Sequence, residues 1–159
     1  MAAAYKVQKV PKWNLKKLNQ VCNLLYLAGR DMASRYGLNH WNNSYFKDMI
    51  VVGLCALKND LYIVYDGETP IATFQLNRRE KEICFQKLAT DPSLMGKGIG
   101  SFCMTAIEEM AAQEGKQAVV CEVYDKSEHA RSFYEHRGYA VTGKTDTLKY
   151  SEYQMRKEL

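Results

Sequence analysis

The chain has no long hydrophobic run. Its longest uncharged apolar stretch, Met49–Leu57, falls well short of the roughly 20 residues that a transmembrane helix needs, so no membrane partner is expected. The N-terminal MAAAYKVQKV lacks the apolar core of a secretory signal, which makes the cytoplasm the expected location. Cysteine is sparse and unpatterned. Cys22, Cys55, Cys84, Cys103 and Cys121 are odd in number, sit among apolar residues and form no CxxC, so they read as free thiols of a reducing compartment. The three histidines, His40, His129 and His136, have no ligand-like spacing, and no metal is expected. Charge of one sign is also scarce. A net +4 tolerates an anionic ligand but is too small to argue for nucleic acid. The small basic clusters Lys9–Lys17 and Arg78–Lys81 read as solvated faces and a turn. Linkers, repeats and low-complexity segments are lacking too. With 47% hydrophobic and 25% charged residues, residues 1–159 suit one domain.

What is present is a change of period along the chain. Tyr5–Lys9 reads as a short strand, ended by Pro11. From Asn14, the apolar positions Leu15, Leu18, Cys22, Leu25, Met32 and Tyr36 recur at helical spacing, and Gly37 falls where a C-terminal cap belongs. The turn Asn39–Asn43 leads into a second helical run ending near Leu57. Then β-branched and aromatic residues alternate: Leu61–Tyr65, a hairpin turn at Asp66–Thr69, Pro70–Leu76, a charged turn at Asn77–Lys81, and Glu82–Ala89. Ile99, Phe102, Cys103, Ala106, Ile107, Met110 and Ala111 mark a regular amphipathic helix, ended by Gly115. Gln117–Val123 is nearly continuous in apolar residues, as in a strand buried on both faces. Asp125 or Ser127 caps a short helix running to Gly138, and Tyr139–Lys144 and Tyr150–Lys157 complete the set. The order β-α-α-β-β-β-α-β-α-β-β predicts an α/β fold with a mixed sheet.

The sharpest local feature is Leu88–Ser101. A strand ends, Thr90-Asp91-Pro92 turns the chain, and the glycine-rich Met95-Gly96-Lys97-Gly98-Ile99-Gly100-Ser101 opens into the amphipathic helix. Unpaired N–H groups and the macrodipole at a helix start attract anions, and glycines admit a ligand close to the backbone. The loop therefore reads as a phosphate or pyrophosphate site. A P-loop needs Ser or Thr after its Gly-Lys pair, and here Gly98 follows Lys97. A dinucleotide fold sets its glycines directly after the strand, whereas Thr90 to Met95 intervene here, although Glu122 does end the next strand.

The loop resembles the Arg/Gln-x-x-Gly-x-Gly/Ala signature of the GNAT superfamily of N-acetyltransferases, preceded by its Val-x-Pro turn. Met95 and Thr90 depart from that pattern, which should weaken binding only modestly because backbone N–H groups hold the pyrophosphate. A second segment, Ser127-Glu128-His129-Ala130-Arg131-Ser132-Phe133-Tyr134-Glu135-His136-Arg137-Gly138-Tyr139, is similar to the family's Asn-x-x-Ala-x-x-Leu-Tyr-Glu-x-x-Gly-Phe. Ser127 stands there in place of Asn.

The resemblance implies a GNAT-like fold with splayed central strands and acetyl-CoA (coenzyme A) as cosubstrate. The pantetheine arm would lie in the gap, against the backbone of Gln86, Leu88, Ala89 and Thr90. Residues Met95 to Ser101, with Ser127, would complete the cofactor site. Tyr134 would be the general acid to the departing thiolate. Glu82, at the start of its strand, is the candidate base, with Glu122 in reserve. The acceptor pocket would draw on His40, Trp41, Asn43, Tyr45 and Phe46, and the acceptor would be a small-molecule or peptide amine. A homodimer is left open. The rival reading is a non-catalytic acyl-CoA sensor on the same fold.

Overall fold

In the computed structural model, which describes residues 4–41 and 48–159, the elements form in the predicted order. They are β1 (Tyr5–Lys9), α1 (Leu15–Tyr36), α2 (Met49–Lys58), β2 (Asp60–Asp66), β3 (Thr69–Arg78), β4 (Glu82–Thr90), α3 (Ile99–Gln113), β5 (Ala118–Tyr124), α4 (Glu128–His136), β6 (Ala140–Asp146) and β7 (Ser151–Glu158). A 3-10 turn, Pro92–Leu94, precedes α3. The boundaries follow local chemistry. Asn14 accepts the Lys17 N–H at 3.1 Å at the start of α1, and Gly37, at φ +67, ends it with its N–H on Ala33. Asp48 caps α2 through the Ile50 N–H at 2.8 Å.

The seven strands make one mixed sheet in the order β1-β2-β3-β4-β5-β7-β6. Every neighbouring pair is antiparallel except β4 and β5. Helices cover it on two sides. Tyr62, Val64, Phe74, Ile83 and Phe85 pack with Ile99, Cys103, Met104 and Ile107 of α3. Leu61, Ile63 and Tyr65 pack on the other face against Leu18, Val21, Cys22 and Leu25 of α1 and Val52 of α2. Each large side chain so buried contributes about 1.5–3 kcal/mol.

Two expectations change. The strands buried on both faces are β2 and β3, not β5. Val119, Cys121 and Val123 of β5 face the α3 side, whereas Glu122 on the other face is exposed. The reason is coverage: α1 packs on β3 and β4, and α2 on β2, so their cover falls on the other half of the sheet. Ser127 occupies the N-cap position of α4, but its side chain makes no capping bond, and Asp125 instead pairs with Lys144 at 3.4 Å. The five cysteines are free thiols, four of them buried.

Candidate active site

The parallel seam between β4 and β5 is short. Only Glu82, Ile83 and Cys84 register with Ala118, Val119 and Val120. Beyond Cys84 the strands part, and the cause lies in β4. Its Gln86-to-Ala89 stretch opposes the shorter Thr73-to-Gln75 stretch of β3, and the extra residue is taken up at Lys87, whose φ is +49. A bulge of this kind bends and twists its strand. The Asp91 N–H returns to Ile71 on β3 at 2.8 Å. Because peptide groups alternate along a strand, those of Thr90 and Leu88 face the side that β5 has left.

A cleft of about 280 Å³ occupies this gap, lined by residues 85–90, Pro92 and Met95 on one wall and by Val123, Tyr124, Ala130 and Tyr134 on the other. The predicted Gln86, Leu88, Ala89, Thr90, Met95, Ser127 and Tyr134 thus come together at one cleft. Gly96, Lys97, Gly98, Gly100 and Ser101 continue from Met95 through the loop into the first turn of α3. Ile99 is a core side chain, 4% exposed, so only its backbone can serve a ligand. Gly96 and Gly98 hold φ +83 and +74, with open space where a Cβ would stand. Gly98 is the N-cap of α3 and no side chain caps that helix. Its first-turn N–H groups are therefore available to an anion. These features fit a pyrophosphate at the loop and an extended arm in the cleft.

Tyr134 projects from α4 into the cleft wall. Its ring sits 5.4 Å from Phe85, 5.3 Å from Phe133 and 5.9 Å from Tyr139. Burial, and secondarily Cys121 and Cys103, push the phenol pKa well above its ordinary value, so it stays protonated across the physiological range. It can donate a proton there.

Glu82 is elsewhere. It opens β4 at the closed end of the seam and lines a separate hollow with Arg79, Cys84 and Arg156. Arg79 bonds it at 2.8 Å and Arg156 at 2.5 Å. The Arg79 bond first, and then Arg156, hold its pKa below the usual carboxylate range despite partial burial. Such a carboxylate is a weak proton acceptor. Glu122 lines both hollows and is the carboxylate of β5 that reaches the Tyr134 cleft. Sequence reasoning missed its neighbour Glu152 on β7, which also lines the cleft and lies diagonally across the β5–β7 ladder from Glu122. Desolvation, and then Glu122, raise the Glu152 pKa to about 7. The only signal in the sequence was alternation along β7, which places Glu152 opposite Tyr124.

His40 and Trp41 line the cleft as predicted. The His40 ring lies 4.4 Å from Tyr124, which meets Tyr150 at 5.4 Å. Burial, helped by His129, lowers the His40 pKa to about 4, so it is neutral at pH 7. Asn43, Tyr45 and Phe46 lie outside the described residues. Tyr36 and His129, stacked at 3.9 Å, join the lining without having been foreseen.

A sheet that opens beside a glycine loop, with a partly buried phenol in the gap, defines an α/β protein whose ligand groove lies within the sheet itself. A sequence model of the acetyltransferase (GNAT) family matches residues 26–139, and the chain belongs to that family. No curated protein sequence matches the chain. Among solved structures, it is similar to the PaiA N-acetyltransferase from Thermoplasma acidophilum in complex with coenzyme A. That match has 16% identity, covers 98% of this chain and 99% of that one, and gives a TM-score of 0.74. A GNAT family acetyltransferase from Elizabethkingia anophelis with acetyl-CoA bound matches at 12% identity over 98% of each chain, with a TM-score of 0.73. The ribosomal-protein-S18-alanine N-acetyltransferase from Escherichia coli matches at 11% identity over 98% of this chain and 94% of that one, with a TM-score of 0.73. These likenesses establish the GNAT acetyltransferase fold. Among the described residues no helix is long and apolar enough to cross a membrane.

Proposed function

We propose that the protein is a cytoplasmic N-acetyltransferase that moves an acetyl group from acetyl-CoA to the primary amine of a small molecule or peptide. One observation carries the reading: Tyr134, a neutral phenol, lines a cleft opened by the bulge at Lys87, with the uncapped start of α3 at its mouth. Coenzyme A bound in one structural neighbour and acetyl-CoA in another support the choice of cosubstrate. Residues Gly96 to Ser101 would hold the pyrophosphate through backbone N–H groups, and Leu88 and Thr90 would pair with the pantetheine amides.

When bound, acetyl-CoA supplies an activated thioester carbonyl. The acceptor enters as an ammonium and yields one proton to Glu122, which replaces Glu82 as the proposed base. The amine nitrogen then attacks the carbonyl carbon, forming the C–N bond as the C–S bond breaks. A backbone N–H on the open edge of β4 faces the charge that develops on the carbonyl oxygen. The sulfur leaves as a thiolate and takes the Tyr134 proton. The second amine proton passes to solvent, from which the phenol regains its own. One proton is released per turnover.

The test is a thermal-shift comparison followed by thiol release. Acetyl-CoA should raise the Tm, whereas ATP and NAD should not, because the loop lacks the P-loop and dinucleotide spacings. A shift with either nucleotide and none with CoA overturns the reading. Tight acetyl-CoA binding without turnover of any amine favours the sensor.

A further inference from the structure

The cleft carries more acid than base. Among the described residues three carboxylates line it: Asp31 from α1, Glu122 from β5 and Glu152 from β7. Lys87 from β4 is the one lysine or arginine among the described lining residues, and its Nζ lies 3.6 Å from Cys55 Sγ. His40 is neutral at pH 7, and burial lowers the His129 pKa as well. Asp31 is held by Arg35 at 3.1 Å, so the free acid function is the Glu122–Glu152 pair. The two lie diagonally across β5 and β7 on one face of the sheet and line the same cleft. Tyr124, on that face between them, carries the rings of His40 and Tyr150 against it.

Two carboxyl groups backed by aromatic faces attract an ammonium group doubly, by charge and by ring quadrupole. The same arrangement repels a second carboxylate brought in beside the amine. Resting on the acetyltransfer reading, we propose that the acceptor is a small primary amine with no carboxylate on the carbon that bears the nitrogen. Its ammonium seats at Glu122 and Glu152, and its body rests on the rings of His40, Tyr124 and Tyr150. Free α-amino acids are excluded by charge rather than by size.

Matched pairs test this directly: phenethylamine against phenylalanine, and putrescine against ornithine, each with saturating acetyl-CoA and thiol release as the readout. In both pairs the carboxylate-free member should have at least a tenfold higher kcat/KM. The Glu152→Lys variant should narrow or reverse the preference through KM, and Glu152→Gln should narrow it less. Both should keep the acetyl-CoA thermal shift, which shows that they fold. Equal or better turnover of the amino acids, or turnover of a peptide N-terminus alone, overturns the acceptor class and leaves the acetyltransferase intact. Acetyl-CoA binding with no release from any amine, amino acid or peptide removes both readings.

Discussion

Replacing Tyr134 by Phe separates chemistry from packing. The ring contacts with Phe85, Phe133 and Tyr139 survive the change, so the variant should fold and bind acetyl-CoA like the parent. Only the hydroxyl is lost. A positioned acid is worth about 10²–10⁴ in rate, which corresponds to roughly 2.7–5.5 kcal/mol of barrier at about 1.36 kcal/mol per decade. A phenol held well above its ordinary pKa stays in its donating form across the assay range, so the loss should not depend on pH there. In steady-state thiol release with a confirmed acceptor, kcat and kcat/KM should fall together, because the proton is needed only as the C–S bond breaks. The parent should also show no alkaline loss of activity attributable to this phenol below about pH 10. A Tyr134→Phe enzyme within threefold of the parent in kcat, with an unchanged acetyl-CoA thermal shift, refutes the assignment. Water would then protonate the thiolate.

Two further outcomes follow from the loop and from the acid pair. Gly98→Val puts a β-branched side chain at φ +74, a conformation such residues avoid, so the acetyl-CoA thermal shift should vanish; an undiminished shift moves the pyrophosphate elsewhere. Glu152, raised to about 7 from the ordinary 4.5, keeps a proton in the native state that the unfolded chain has released. Its contribution to stability is therefore fully present below pH 4.5 and is lost as pH rises to about 7, so Glu152→Gln should show a smaller drop in Tm between pH 5 and 8 than the parent, and identical drops would contradict the shift.

Much of this was legible before the fold was seen, because the informative features were local. Asn14 and Gly37 bracket α1 as caps, and the two glycine-flanked motifs sit on the elements that their periods predict. Three parts were not legible, each for a non-local reason. The insertion of β7 between β5 and β6 depends on pairing across the chain. The open face of β5 depends on how far α1 and α2 reach over the sheet, and an apolar strand does not encode that. The choice between Glu82 and Glu122 depends on tertiary placement: Arg156, distant in sequence, pairs with the first, whereas the second lines the cleft that holds Tyr134.

The three-residue seam between β4 and β5 makes two rafts of one sheet. Within each raft, backbone hydrogen bonds fix the strand spacing to a few tenths of an ångström. Across the gap past Cys84 no ladder does so, and the spacing rests on α3 beneath, whose Cys103, Met104, Ile107 and Ala111 are wholly enclosed. The aperture of the groove is thus set by the volume of core side chains that never touch a ligand. Interiors packed at crystal density transmit a missing or added methylene to their surroundings. Sequence drift along the buried face of α3 therefore works as a caliper adjustment, changing the width of the groove while every groove-lining residue stays the same.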